Sequence, residues 1–152
     1  MPTVRVVCQC SLPPERVLAA ACDFSERRSK IFSAVQLDRL VVHSQAETTA
    51  DVTEGTRSGP IVNWERCDYD WSQPDLVVAD VTDSNIYEPE GSSWEITAIA
   101  SESGSTVVMT WIREFQRTPK GRFFNFVFNR FGQRLFEKYG NEIVENLELL
   151  ER

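Results

Sequence analysis

Residues 63–71, Asn63-Trp64-Glu65-Arg66-Cys67-Asp68-Tyr69-Asp70-Trp71, alternate so that aromatic and charged groups fall on both sides of an extended strand. Taken with period two, one face carries Trp64, Arg66, Asp68 and Asp70, and the other Glu65, Cys67, Tyr69 and Trp71. A strand with one face on a dry core would separate apolar from polar side chains. A strand of this composition suits the wall of a cavity that holds water and a ligand, where a few polar groups orient what is bound.

The flanking segments are strands as well. Residues 39–45, 48–54, 61–71, 76–83, 93–102 and 106–116 carry strand patterning. Turn chemistry separates them at Glu54-Gly55-Thr56, Ser58-Gly59-Pro60, Ser72-Gln73-Pro74-Asp75, Glu88-Pro89-Glu90-Gly91 and Ser103-Gly104-Ser105. Short connections between consecutive strands make an antiparallel meander. Upstream, residues 4–10 alternate as a first strand, and Leu12-Pro13-Pro14-Glu15 stops it and opens a short helix. A second short helix is expected over residues 25–32, with Ser25 as its N-cap. Beyond Thr118-Pro119 the period turns helical to the end of the chain. Phe124, Phe128, Phe131, Leu135 and Tyr139 form one stripe, continued by Ile143, Leu147 and Leu150. Gly132 and Gly140 are expected to bend or loosen this helix. The order predicts an α+β fold, one domain over residues 1–152, in which a curved antiparallel sheet of about seven strands wraps a long C-terminal helix.

The 152 residues are 41% hydrophobic and 11% aromatic, enough for a core. Sixteen Lys+Arg against 23 Asp+Glu leave a net charge of −7, which argues against nucleic acid and against an anionic membrane surface as partner. No apolar stretch reaches the roughly 18 residues that span a bilayer. The opening MPTVRVVCQCSLPP lacks a basic segment followed by an apolar run, so no signal peptide and a cytoplasmic location are expected. The four cysteines are then reduced thiols. Cys8 and Cys10 share one strand face, but a zinc site needs further ligands and the chain has one histidine, His43. Both thiols are read as small buried hydrophobes, and no metal or cofactor is expected. His43 has no nucleophile beside it and is not read as a catalytic base.

The opening VRVVCQCSLPPERVLAAACDF, the EGT at Glu54 to Thr56 and WER at Trp64 to Arg66 form a pattern with three later features. These are SSWEIT at Ser92 to Thr97, GSTVVMTWIREF at Gly104 to Phe115 and the final helix. On these features almost the whole chain resembles the START and polyketide-cyclase (SRPBCC) superfamily, which implies a helix-grip fold with an internal ligand cavity. Within it the pattern is similar to small aromatase/cyclases acting on polyketide chains. Trp64, Trp94 and Trp111-Ile112-Arg113-Glu114-Phe115 occupy the places of their tryptophan-rich fourth strand and of their seventh strand. Arg66, Asp68 and Arg113 stand where those cyclases carry a serine, an arginine and a glutamine. Arg28 and an aliphatic near Val35 replace a tryptophan and a tyrosine. The resemblance also turns Val62, Trp64, Arg66 and Asp68 toward the helix.

The expected cavity lining is therefore Phe32, Trp64, Val81, Trp94, Met109, Trp111, Phe124, Phe128 and Phe131, with Arg66, Asp68 and Arg113 as its polar groups. Two functions follow. One is binding of a hydrophobic or aromatic molecule, lipid- or polyketide-like, whose carboxylate, phosphate or phenolate meets the arginines. The other is a polyketide cyclase or dehydratase, with Arg66 or Arg113 holding an enolate oxygen and Asp68 as base. Two blander readings stand beside these: Arg66 and Asp68 as an ordinary ion pair at the sheet rim, and Arg113 as part of a structural network. Lys120, Arg122, Arg130 and Arg134 are read as the solvated face of the helix. Cys67, Tyr69 and Trp71, turned outward on this reading, form a patch suited to a weak homodimer.

Overall fold

The structure is a computed structural model and describes residues 2–151. Strand β1 (Thr3–Cys10) leads through helix α1 (Pro14–Ala21), helix α2 (Arg28–Ile31) and a 3-10 turn at Leu37–Arg39 into six further strands. These are β2 (Val41–Gln45), β3 (Thr49–Ser58), β4 (Ile61–Asp70), β5 (Leu76–Ser84), β6 (Ser93–Ser101) and β7 (Gly104–Ile112). Helix α3 (Pro119–Leu150) closes the chain. The strands form one antiparallel sheet in the order β1-β7-β6-β5-β4-β3-β2, a meander whose first strand returns to pair with the last. This is the α+β helix-grip arrangement expected from the element order.

Alternation builds the core. Val4, Val6, Cys8 and Cys10 of β1, Val77, Ala79 and Val81 of β5, and Trp94, Ile96 and Ala98 of β6 are buried at every second position. Helix α3 starts at a defined point, because the Thr118 side chain accepts a hydrogen bond from the Gly121 N–H at 3.0 Å and Pro119 occupies the first turn.

Three expectations are corrected here. Gly55 does not turn the chain. It lies within β3, and a Cβ there would come within 2.9 Å of the Arg39 Cβ, so glycine admits the arginine stem across the strand. The reversal occurs instead at Gly59, whose φ of +63° is costly for any residue with a Cβ. The apolar stripe of α3, a helix continuous from Pro119 to Leu150, is displaced from the expected one onto Gly132 and Gly140. They sit on its buried face, and a Cβ on Gly140 would lie 2.9 Å from the Val6 side chain. The glycines let the helix backbone settle onto β1. The buried stripe therefore passes through Phe128, Gly132, Gly140, Ile143 and Leu147, while Phe131 and Leu135 are exposed.

The third correction concerns β4. The β3–β4 register pairs Ser58 with Ile61, and so Val52 with Cys67 and Glu54 with Glu65. Val52 is fully buried, and Cys67 and Tyr69 share its face at 1% exposure. The inward residues are therefore Asn63, Glu65, Cys67 and Tyr69, the opposite parity to that expected. Arg66 and Asp68 lie on the outer surface, where the Arg66 Nε and Nη2 donate to the two Asp51 carboxylate oxygens at 2.8 and 2.6 Å. With Cys67 and Tyr69 inside and Trp71 packed near Phe24, the outer aromatic patch offered for a homodimer is absent.

Candidate functional site

Between the sheet and the stretch of α3 from Phe124 to Tyr139 lies a cavity of about 540 Å³. Aromatic rings make most of its wall: Phe32 beside Trp94 at 6.1 Å, Trp111 beside Phe136 at 4.6 Å, and Phe115 beside Phe128 at 5.6 Å between centroids. Phe124 and Val127 of α3 complete the apolar part.

Two guanidinium–carboxylate stations interrupt this wall. In the first, Arg28 of α2 is buried and all three of its guanidinium nitrogens are engaged. Nε and Nη2 donate to the Glu54 oxygens at 2.9 and 3.2 Å, Nη1 to the Ala21 carbonyl at 2.8 Å, and Nη2 also to the Tyr69 hydroxyl at 2.9 Å. The Tyr69 hydroxyl in turn donates to Glu54. The guanidinium lies over the Phe32 ring at 4.3 Å and the Phe24 ring at 4.8 Å. Burial disfavours the Arg28 charge, but Glu54 and Tyr69 outweigh it, and the pKa lies above the ordinary arginine value. Burial, with Glu54 beside it, holds the Tyr69 phenol protonated.

The second station is sparser. Arg113, just past β7, is 4% exposed, lies over Tyr87 at 4.5 Å and donates from Nη1 to Glu65 at 3.1 Å. Burial pushes the Glu65 carboxyl above the usual carboxylate value, and Arg113 offsets this only in part. Two buried polar atoms of lining residues here have no hydrogen-bond partner: Arg113 Nε and Asn63 Oδ1.

Of the residues expected from sequence, Phe32, Trp64, Trp94, Trp111, Arg113, Phe124 and Phe128 line this cavity. Trp64 does so although its register puts it on the outward parity of β4. Val81 and Met109 are buried in the core without lining the cavity, Phe131 is exposed on α3, and Arg66 and Asp68 lie outside. Sequence reasoning missed Arg28, Glu54, Glu65, Asn63 and Tyr87. One signal was available for β4: Ala50 and Val52 mark the inner parity of β3, and a tight hairpin at Gly59-Pro60 carries that parity across to Cys67 and Glu65.

The fold is similar to that of solved aromatase/cyclase and START superfamily structures. No known protein family and no curated protein matches the sequence itself. Among solved structures, a protein from Thermus thermophilus is 16% identical, with a TM-score of 0.80 covering 99% of this chain and 100% of that one. The Zhui aromatase/cyclase from a Streptomyces species is 12% identical, with a TM-score of 0.76 over 99% and 95% of the two chains. A START superfamily protein from Mycobacterium smegmatis is 8% identical, with a TM-score of 0.75 over 97% and 98%. At such identities the likeness is one of fold. Among the described residues no helix is long and apolar enough to cross a membrane.

Proposed function

We propose that the chain works as one domain that binds a hydrophobic or aromatic small molecule, lipid- or polyketide-like, between the sheet and α3. The observation that carries this reading is the aromatic-walled cavity of about 540 Å³. Its size is in the usual range for sites that enclose a small organic ligand, and a few placed polar groups among apolar ones is their usual chemistry. Protein interiors are otherwise close-packed, so an aromatic-walled space of this size between sheet and helix supports a ligand site. The test is titration with N-phenyl-1-naphthylamine, an uncharged dye that fluoresces in apolar surroundings, together with native mass spectrometry of the purified protein. Saturable fluorescence or a co-purifying molecule is expected. Neither being seen rejects the reading.

A second reading is catalysis of polyketide cyclisation or dehydration in the same space. It is supported by Glu65 and Arg113 side by side in the wall, a carboxyl whose pKa burial raises next to a guanidinium. Glu65 would move the proton and Arg113 would hold the enolate oxygen. Asp68, on the outer surface, takes no part. Aromatic product from a poly-β-keto thioester should form with the wild type and fail with Glu65→Gln. Equal product from both rejects this chemistry.

A further inference from the structure

Four charged residues line the cavity, Arg28 and Arg113 against Glu54 and Glu65, so its wall is electrically balanced. Each cation is already matched by a carboxylate at hydrogen-bond distance. A carboxylate or phosphate entering this space would find no uncompensated positive charge, and would sit near two glutamates in a setting where water screens little.

The unused hydrogen-bonding capacity is of another kind. Arg113 Nε is a donor and Asn63 Oδ1 an acceptor; both are buried, both belong to lining residues, and neither has a partner. Leaving either unpaired away from water is unfavourable, so a ligand that satisfies both gains by it. Asn63 stands two positions before Glu65 on the inward face of β4, and Glu65 is the residue Arg113 bonds. Asn63 and Arg113 are thus both neighbours of Glu65 in the wall, one along the strand and one through its hydrogen bond.

Resting on the reading of this cavity as a ligand site, we propose that its ligand is uncharged where it meets this wall. The ligand presents there a group that both accepts and donates a hydrogen bond, a hydroxyl or a carboxamide on an aromatic or aliphatic frame. The group accepts from Arg113 Nε and donates to Asn63 Oδ1. This differs from the anionic ligand that two arginines imply when read from the sequence alone, because that count leaves out Glu54 and Glu65.

The test displaces bound N-phenyl-1-naphthylamine with four probes on one ring frame at neutral pH: naphthalene, 2-naphthol, 2-naphthamide and 2-naphthoate. The naphthol and the naphthamide should displace the dye at concentrations about tenfold or more below those of naphthalene and of naphthoate. In Asn63→Leu the preference of naphthol over naphthalene should shrink toward unity, a ratio read within one protein and so insensitive to a general loss of affinity. Naphthoate displacing as well as or better than the neutral polar probes overturns the inference while leaving the cavity a ligand site. Naphthalene matching the naphthol in the wild type overturns it in the same way. Failure of the dye itself to bind overturns the ligand-site reading, and this inference with it.

Discussion

Arg28 and Arg113 both stand in the cavity wall, both face a glutamate and both lie over an aromatic ring, yet their surroundings differ in how completely they are used. Arg28 has a partner for each guanidinium nitrogen, shares Glu54 with a tyrosine hydroxyl, and is clasped by the Phe24 and Phe32 rings. Arg113 bonds one carboxylate oxygen and keeps a buried Nε without a partner. A fully satisfied buried network holds the fold in one arrangement. A partly satisfied one at a cavity wall retains capacity for something that is not protein. The two stations teach that the residue type does not set the role; the count of satisfied donors does.

The comparison is tested hardest by Arg28→Ala. Removing one partner of a buried pair strands Glu54 and opens a void between two rings, so unfolding free energy should fall by about 3–5 kcal/mol. For a chain of this size that lowers the melting temperature by about 6–20 °C. A melt indistinguishable from wild type would show that the first station is not what holds α2 to the sheet.

Arg113→Ala should cost less, about 1.5–3 kcal/mol, because it removes one hydrogen bond to Glu65, and the carboxyl that burial already pushes up rises further without the guanidinium and can take up a proton. The variant should also lose the preference for neutral polar probes. Chemical denaturation of the two variants side by side checks the difference. Equal losses would mean that both stations are structural and would break the comparison.

Glu65 sharpens it through pH. Its carboxyl is held above the ordinary carboxylate value in the folded state by burial. The folded protein therefore keeps this proton at a pH where the unfolded chain has released it. Its contribution to stability declines as pH rises from the ordinary carboxylate value through the raised one. Glu65→Gln mimics the protonated form and lacks that decline, so stability should shift in favour of the variant as pH increases across this window. A constant difference between variant and wild type would place Glu65 in ordinary contact with solvent.

Arg66→Ala serves as the smallest effect and the control. Its pair with Asp51 is on the outer face, where solvent screens it. Neither the melt nor dye binding should change measurably. Weaker dye binding would put Arg66 back in the cavity.

The sheet, the long helix and most of the aromatic wall were legible in the sequence. Period two and turn residues mark strands locally, and Trp94, Trp111, Phe124 and Phe128 lie at spacings that any inward face would need. Residues 61–70 were not legible in the same way. Both faces of that strand mix rings with charge, so its hydrophobic pattern leaves the inside undetermined, and a one-residue choice exchanges every side chain. The hairpin at Gly59 decides it, by setting Val52 opposite Cys67. Reading Glu54-Gly55-Thr56 as a turn removed that information, because it ended β3 before the hairpin.

The order of elements, the antiparallel meander and the presence of a helix after Thr118 were determined by the sequence alone, since periodicity, proline and turn chemistry act within a few residues. Tertiary structure alone decided which carboxylate meets which guanidinium. Glu54 lies 26 positions from Arg28, and Glu65 lies 48 from Arg113. Such pairs are chosen by how α2 and the curved sheet come together. The same holds for α3, where the face turned to the sheet follows Gly132 and Gly140 rather than the row of phenylalanines. Close approach of a helix backbone to β1 demands the absence of side chains, and hydrophobic periodicity does not register an absence.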